Sequence, residues 1–325
     1  MRHLAKLVAG GQEFPVEGAE SLLEAALRAG LGVPYGCSNG ICGACKARVV
    51  AGSTRRIRFH DFRLTEAEKL QGYALMCCST ALSDVVIDTG IAHNASDIPL
   101  QRVDAQVRRL EPLAADILLL ELVTPRSQRL RFLAGQSAAL DIGGICTTLP
   151  IASCPCEERR LQFHLPRNAR EPRFDDLRGR LRLGAPVSVE GPAGDFVLRD
   201  GGARPLVFIA WGWQSFAPVK SIIEHALAQE AAASIDLYWI AKDASEHYYP
   251  NLCRSWAQAI DDFHYALLVG DAVADGNVAA TLAALGKLPG RDFYVAGTAH
   301  EVAATRALLA AGGTPPARLS AWNPA

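Results

Sequence analysis

Net charge is almost absent from this 325-residue chain: 33 lysines and arginines face 34 aspartates and glutamates, a formal balance of −1. That removes the electrostatic case for nucleic acid or an anionic membrane as a partner. No stretch approaches the roughly 20 apolar residues that span a bilayer, and the opening MRHLAKLVAGGQEFPVEG has no apolar core of signal-peptide length. A cytoplasmic protein with no membrane span is expected. Internal repeats and low-complexity tracts are also lacking, so a solenoid or repeat array is not the organising principle. The length is too great for one ordinary core and predicts two or three domains.

What the chain does have is cysteine, nine in all, three of them within nine positions. A small secreted disulfide framework would need a short chain and an export signal, so metal ligation is the better reading. The loop YGCSNGICGACKARV sets Cys37, Cys42 and Cys45 apart by four and then two residues, the spacing of plant-type [2Fe-2S] ligands. Two irons and two sulfides need four thiolates, held by a loop whose backbone N–H groups can reach the sulfurs. Ser38, Gly40, Gly43 and Ala44 suit such a loop, because small residues do not hold the backbone away. Those N–H groups help set the potential. Structural zinc draws on two close pairs instead and fits this triplet poorly. The fourth thiolate must come from LMCCSTALSDVVID, which offers Cys77 and Cys78. Cys146, Cys154, Cys156 and Cys253, with the unused member of that pair, read as buried free thiols.

Three textures follow one another. Alternation through Leu4–Val8, a turn at Gly10-Gly11 and renewed alternation to Val16 predict a hairpin. Ser21 with Glu24 three residues later predicts a capping-box start to a short helix, and Lys46–Val50 and Asp84–Asp88 predict further strands. After a linker at His93–Pro99 come short strands separated by turns (105–110, 117–123, 138–142, 161–165, 187–190), which predict an antiparallel barrel. From Pro205 strands alternate with helices: strands at 206–210, 235–241, 266–269 and 293–296, helices at 217–231, 278–285 and 301–311. That order predicts a doubly wound parallel sheet. The expected domains are 1–95, 100–200 and 201–325.

The segment around Cys77 resembles the closing motif of plant-type ferredoxins and ferredoxin-containing reductases, in which the ligand cysteine stands six positions before a Ser-Asp pair. Cys77 stands six before Ser83-Asp84, so the resemblance implies Cys37, Cys42, Cys45 and Cys77 as ligands and Cys78 as a neighbouring thiol. Further along, Gly135-Gln136, the segment EGPAGDFVLR with Gly191, Pro192, Gly194 and Phe196, and the stretches FAPVKSIIEHAL and IDLYWIA are similar to the reductase components of bacterial oxygenases in the ferredoxin-NADP reductase superfamily. The resemblance implies a β-grasp ferredoxin, a flavin-domain-like antiparallel barrel and an NAD-domain-like α/β sheet. It also implies hydride transfer from NAD(P)H to a flavin that splits the electron pair for a one-electron cluster.

The binding motifs depart from that pattern. Thr147-Thr148-Leu149-Pro150 stands where the family has Arg-x-Tyr-Ser, which removes the guanidinium, the aromatic face and the hydroxyl, although Ile151-Ala152-Ser153 follows as in the family. RNAREPRFDDL replaces a glycine- and hydroxyl-bearing phosphate segment, with Arg167, Arg170 and Arg173 as substitute phosphate partners or as a solvated basic loop. Trp211-Gly212-Trp213-Gln214 replaces a glycine-rich pyrophosphate turn, Ala296-Gly297 replaces Cys-Gly, and Trp322 corresponds to the aromatic that covers the flavin or packs on the surface. The expectation is a [2Fe-2S] electron carrier serving a protein redox partner, an oxygenase, hydroxylase or other electron-transfer subunit. FAD or FMN and NAD(P)H are not held tightly, and no catalytic or flavin-binding residue is assigned. The alternatives are an active NAD(P)H-dependent flavin reductase component and a scaffold subunit with a structural cluster.

Overall fold

A computed structural model describes residues 2–90, 97–125, 129–157, 159–166, 172–199, 202–270 and 276–324, except the side chains of residues 172, 173 and 277. Arg167, Arg170, the Arg173 side chain and most of the linker predicted at 93–99 therefore lie outside the described residues.

The N-terminal part contains β1 (Arg2–Leu7), β2 (Glu13–Glu17), α1 (Leu22–Arg28), β3 (Lys46–Ala51), β4 (Thr54–Arg56), α2 (Glu66–Leu70), β5 (Tyr73–Leu75), β6 (Ser79–Ala81) and β7 (Val85–Asp88). Five of these strands form a sheet in the order β2-β1-β7-β3-β5, with β1 and β7 parallel and the other neighbours antiparallel. This is the mixed sheet of a β-grasp. Its buried face carries Ala5, Leu7, Phe14, Val16 and Ile87, and α1 closes it with Leu22, Leu23, Ala25 and Ala26. The helix starts where the capping box places it: Ser21 Oγ accepts the Glu24 N–H at 3.1 Å and Glu24 Oε2 accepts the Ser21 N–H at 2.9 Å.

The middle part comprises β8 (Gln101–Ala114), β9 (Ile117–Val123), β10 (Ser137–Ile142), β11 (Ile145–Pro150), β12 (Arg160–Pro166), α3 (Pro172–Arg180) and β13 (Pro186–Ala193). All neighbours in the order β11-β10-β13-β8-β9-β12 are antiparallel, giving a curled half-barrel. Val103, Ala105 and Val107 of β8 and Leu118, Leu120 and Leu122 of β9 point inward at every second residue, as the pleat requires.

The last part runs β14 (Arg204–Trp211), α4 (Phe216–Ala228), β15 (Ala232–Ala241), α5 (Pro250–Ala259), β16 (Phe263–Val269), α6 (Gly276–Gly286), β17 (Asp292–Ala296), α7 (Ala299–Ala311) and β18 (Leu319–Trp322). Its sheet, β16-β15-β14-β17-β18, is wholly parallel. β14 reads as one apolar run because both of its faces are covered. Leu206, Phe208 and Ala210 pack with Phe216 and Val219 of α4, whereas Val207, Ile209 and Trp211 pack with Leu282 of α6 and Val302 and Leu309 of α7. The sequence patterns did not reveal α5, β18 or the barrel edge strand β11. β11 and β18 are short edge strands, where hydrophobic periodicity is weakest, whereas α5 is an amphipathic helix of ten residues opened by Pro250 that its period could have found.

Among the described residues, two close contacts join the ferredoxin part to the rest of the chain. Arg131 Nη2 donates to the Gly32 carbonyl at 2.6 Å, and Gly30 packs so closely on Gln229, just past α4, that a Cβ there would overlap the Gln229 side chain.

Candidate functional site: the cysteine loop and two cavities

The loop between α1 and β3 folds around sulfur. Ser38, Gly40 and Gly43 adopt positive φ values of 56°, 84° and 74°. These turns aim the backbone inward: the N–H groups of Ile41 and Cys42 each donate to Cys37 Sγ at 3.3 Å, and those of Cys37 and Ala44 donate to Cys42 Sγ at 3.3 and 3.4 Å. The thiols gather in two pairs. Cys42 hydrogen-bonds with Cys37, and Cys45 Sγ stands 3.2 Å from Cys77 Sγ, delivered by a 3-10 turn between β5 and β6. Within the second pair the two sulfurs are hydrogen-bonded to each other. The Cys77 thiol beside it is the largest cause that holds Cys45 down to about 7, and Cys45 in turn pushes Cys77 up. Burial raises the Cys37 thiol, but the N–H groups of Asn39 and Cys42 outweigh burial and the net direction is down. Cys78 is buried as well, 3.5 Å from Cys77 Sγ and turned toward Gly40.

Two pairs of thiols in a cradle of N–H donors suit a donor set for two irons. The cradle has no spare room: a Cβ on Gly43 would overlap the Phe62 ring, and one on Gly40 would overlap His60 and come within 2.7 Å of Cys78 Sγ. Gly43→Ala must therefore both strain a positive φ and displace a ring, a combination costing about 1–3 kcal/mol. The iron content of purified Gly43→Ala is expected to fall below half that of the unmodified chain, while Gly194→Ala, at a φ of +94° in open space, leaves iron unchanged.

Thr147–Pro150, the segment aligned with the flavin motif, forms most of β11 and walls a cavity of about 430 Å³. Its other walls are His164, Phe174, Trp213, Gln214 and Trp322. Trp322 thus stands over the same cavity as Thr147–Pro150. Among the described residues that line the cavity none is charged. His164 is buried, its Nδ1 paired with the Tyr248 hydroxyl at 2.8 Å while its Nε2 has no partner. Burial, with the Lys220 charge adding to it, holds this imidazole well below its ordinary range and so neutral.

A second cavity, of about 630 Å³, opens at the carboxyl ends of β14 and β15, the place where doubly wound sheets bind ligands. The two indoles predicted to crowd this turn part company. Trp211 is the last residue of β14 and turns into the core under α7, where its Nε1 donates to Thr305 Oγ1 at 3.0 Å. Trp213 remains in the turn, between the two cavities. Indole bulk therefore does not fill the crevice, which is instead acidic. Asp243, Glu246 and Glu301 line it, with Lys242 as the one cation among the described lining residues. Burial, with Asp243 and Glu301 adding to it, pushes the Glu246 carboxyl up. No sequence motif marked these carboxylates, because Asp243 and Glu246 come from the loop after β15 and Glu301 from the first turn of α7.

Three of the cysteines expected to be buried free thiols differ: Cys146 is free but exposed at the edge strand β11. Cys154 and Cys156 are joined in a disulfide, and Cys156 is exposed. The single-residue spacing was a signal that could have found the pair.

Comparison with known proteins agrees with this architecture. Residues 7–82 match the family described as a 2Fe-2S iron-sulfur cluster binding domain. Over 264 residues the chain is 30% identical to the CDP-6-deoxy-L-threo-D-glycero-4-hexulose-3-dehydrase reductase of Yersinia pestis, covering 81% of this chain and 79% of that one. It is 29% identical over 268 residues to the terephthalate 1,2-dioxygenase reductase component 2 of Comamonas sp, covering 81% and 79%. The solved cytochrome P450 reductase GcoB of Amycolatopsis superposes with a TM-score of 0.62 at 26% identity, over 99% of this chain and 98% of that one. With its cluster-binding ferredoxin domain, half-barrel and parallel sheet in the same order, the chain belongs to the ferredoxin-containing reductases of the ferredoxin-NADP reductase superfamily, of the bacterial oxygenase reductase type.

Proposed function

We propose that this protein is an iron-sulfur electron carrier on an oxygenase-reductase scaffold, passing single electrons to or from a protein partner of the oxygenase or hydroxylase class, with neither flavin nor NAD(P)H held tightly. Cys37, Cys42, Cys45 and Cys77 are the ligands. The proximity of Cys77 to Cys45, 3.2 Å between sulfurs, supports Cys77 over Cys78. The cluster supplies a site that takes up and gives out one electron at a time. The residues of the chain do the rest: the N–H groups of Ile41, Cys42 and Ala44 stabilise negative charge on the sulfurs, and buried Leu75 and Met76 exclude water on one side. The three sheets are read as domains 1–95, 100–200 and 201–325, the last two serving to hold the ferredoxin domain or to dock the partner.

The observation that carries the reading is the uncharged lining of the cavity beside Thr147–Pro150, which offers a flavin phosphate no cation among the described residues. The acidic crevice adds to it, since a pyrophosphate would bring negative charge against Glu246 and Glu301. Anaerobic mixing of the purified protein with NADH or NADPH in a stopped-flow instrument is expected to leave the iron-sulfur absorption unbleached over minutes. Bleaching within seconds would establish the second reading, an NAD(P)H-dependent flavin reductase component with unusual contacts. That reading is favoured by the persistence of a cavity of about 430 Å³ with Trp322 and the unpartnered His164 Nε2 in its walls.

A further inference from the structure

Apart from the cysteine loop, one group of metal-ligating side chains comes together among the described residues: Cys154 and Cys156, between β11 and β12, and His225 in the last turn of α4. One ligand atom of each lies within 4.8 Å of the others, and Cys154 Sγ stands 3.7 Å from His225 Nδ1. We infer that reduction of the Cys154–Cys156 disulfide opens a three-ligand site for a zinc-class divalent ion, held by the two thiolates and His225 Nδ1.

The arrangement is built by the surrounding structure. Two side chains of α4 hold the loop: Lys220 Nζ donates to the Ala152 carbonyl at 3.1 Å, and Ser221 Oγ donates to the Ser153 carbonyl at 2.7 Å. Cys154 follows directly in the chain, and His225 lies one helical turn beyond Ser221, so the two hydrogen bonds bring sulfur and imidazole face to face. The Cys156 N–H donates to Cys154 Sγ at 3.2 Å, a bond that favours the thiolate. Across a tetrahedral ion with Zn–S near 2.3 Å and Zn–N near 2.0–2.1 Å the sulfur-to-nitrogen separation is about 3.6 Å, close to that found here. Two thiolates and an imidazole select zinc and its soft neighbours over magnesium or calcium. Cys156 and His225 also line a cavity of about 490 Å³ whose far walls include Tyr35 and Ser38 of the cysteine loop. Three protein ligands leave one position for water or another ligand from that cavity.

The chemistry balances with an external dithiol as reductant. The dithiol gives two electrons and two protons to the disulfide and leaves as its own cyclic disulfide, and both thiol protons are released when the ion binds.

The test uses the full, cluster-loaded chain, reduced anaerobically with dithiothreitol, freed of reductant and titrated with zinc against a chromophoric chelator. Uptake of one zinc per chain with submicromolar affinity is expected, with iron content unchanged. A Cys154→Ser/Cys156→Ser variant should bind at least 100-fold more weakly, His225→Gln at least 10-fold more weakly, and the zinc absorption edge should report two sulfurs and a nitrogen. Absence of submicromolar binding, equal uptake by the variants, a four-sulfur shell at the cysteine loop, or a thiol count that does not rise by two on reduction would each overturn the inference. Should the double variant fail to fold, His225→Gln alone decides, since an unchanged affinity there removes the imidazole from the site.

Discussion

Cys77→Ser is expected to lose nearly all iron and acid-labile sulfide, whereas Cys78→Ser keeps both. The two residues are neighbours in sequence, equally buried, and chemically identical, so only direction separates them. Cys77 Sγ faces Cys45 Sγ at 3.2 Å, and Cys78 Sγ lies against Gly40. A thiolate neutralises iron charge and shares electron density with it in a way that a serine hydroxyl, protonated at neutral pH, does not. Three thiolates leave one iron underligated, in a pocket that Leu75 and Met76 close to water on one side. Cys78→Ser exchanges a thiol for a smaller hydroxyl beside Gly40, and its cost is confined to packing and an unpaired hydroxyl, about 1–3 kcal/mol. Iron and sulfide determinations on both variants, purified anaerobically, read the difference directly. Retention of cluster by Cys77→Ser with loss in Cys78→Ser reverses the assignment.

Flavin affinity should respond more steeply still to changes in β11. Relative to the family motif, Thr147–Pro150 lacks an arginine pair, an aromatic stack and a hydroxyl bond. Charge-assisted hydrogen bonds are worth about 1.5–3 kcal/mol and aromatic stacking about 0.5–1.5. Their loss removes on the order of 3–5 kcal/mol, roughly a hundred- to several-thousand-fold in dissociation constant. The described walls that remain, Phe174, Trp213 and Trp322 beside a neutral His164, can sandwich a ring but among the described residues offer a phosphate nothing ionic. The unmodified chain is therefore expected to purify without stoichiometric flavin and to bind FAD or FMN no tighter than micromolar in a fluorescence-quenching titration. Thr147→Arg, Leu149→Tyr and Pro150→Ser together should tighten binding by at least a hundredfold. Leu149 is buried, so Thr147→Arg with Pro150→Ser, made without Leu149→Tyr, separates restored charge from disturbed packing. Submicromolar binding by the unmodified chain removes the carrier reading and leaves the reductase one.

Some elements are legible in the residue order alone. The capping box at Ser21 and Glu24, the alternation in β8 and the strand-helix order after Pro205 are local patterns, set by the period of a helix or a pleat and by side chains three residues apart. Other features are not legible there. β14 is apolar on both faces, so nothing in LVFIAW tells which residues face α4 and which face α7. The end of β14 separates the two indoles: Trp211, its last residue, packs on the α7 side, whereas Trp213 lies beyond the strand in the turn, and both line the crevice they were expected to crowd. The acidic crevice gathers Asp243 and Glu246 from the loop after β15 and Glu301 from the start of α7, and the cluster of Cys154, Cys156 and His225 joins residues 71 positions apart.

The sequence by itself determined the cluster-binding chemistry, because ligand spacing in a glycine-bearing loop is a local demand that a metal cluster imposes on neighbouring residues. It also determined the order of the three folds, because hydrophobic period and turn residues act within a few residues of one another. What lines each cavity, and where a second set of sulfur and imidazole ligands meets, were decided only by tertiary structure. Those outcomes depend on strand register, on the side of the sheet each residue takes, and on the hydrogen bonds from Lys220 and Ser221 that hold the barrel loop to α4.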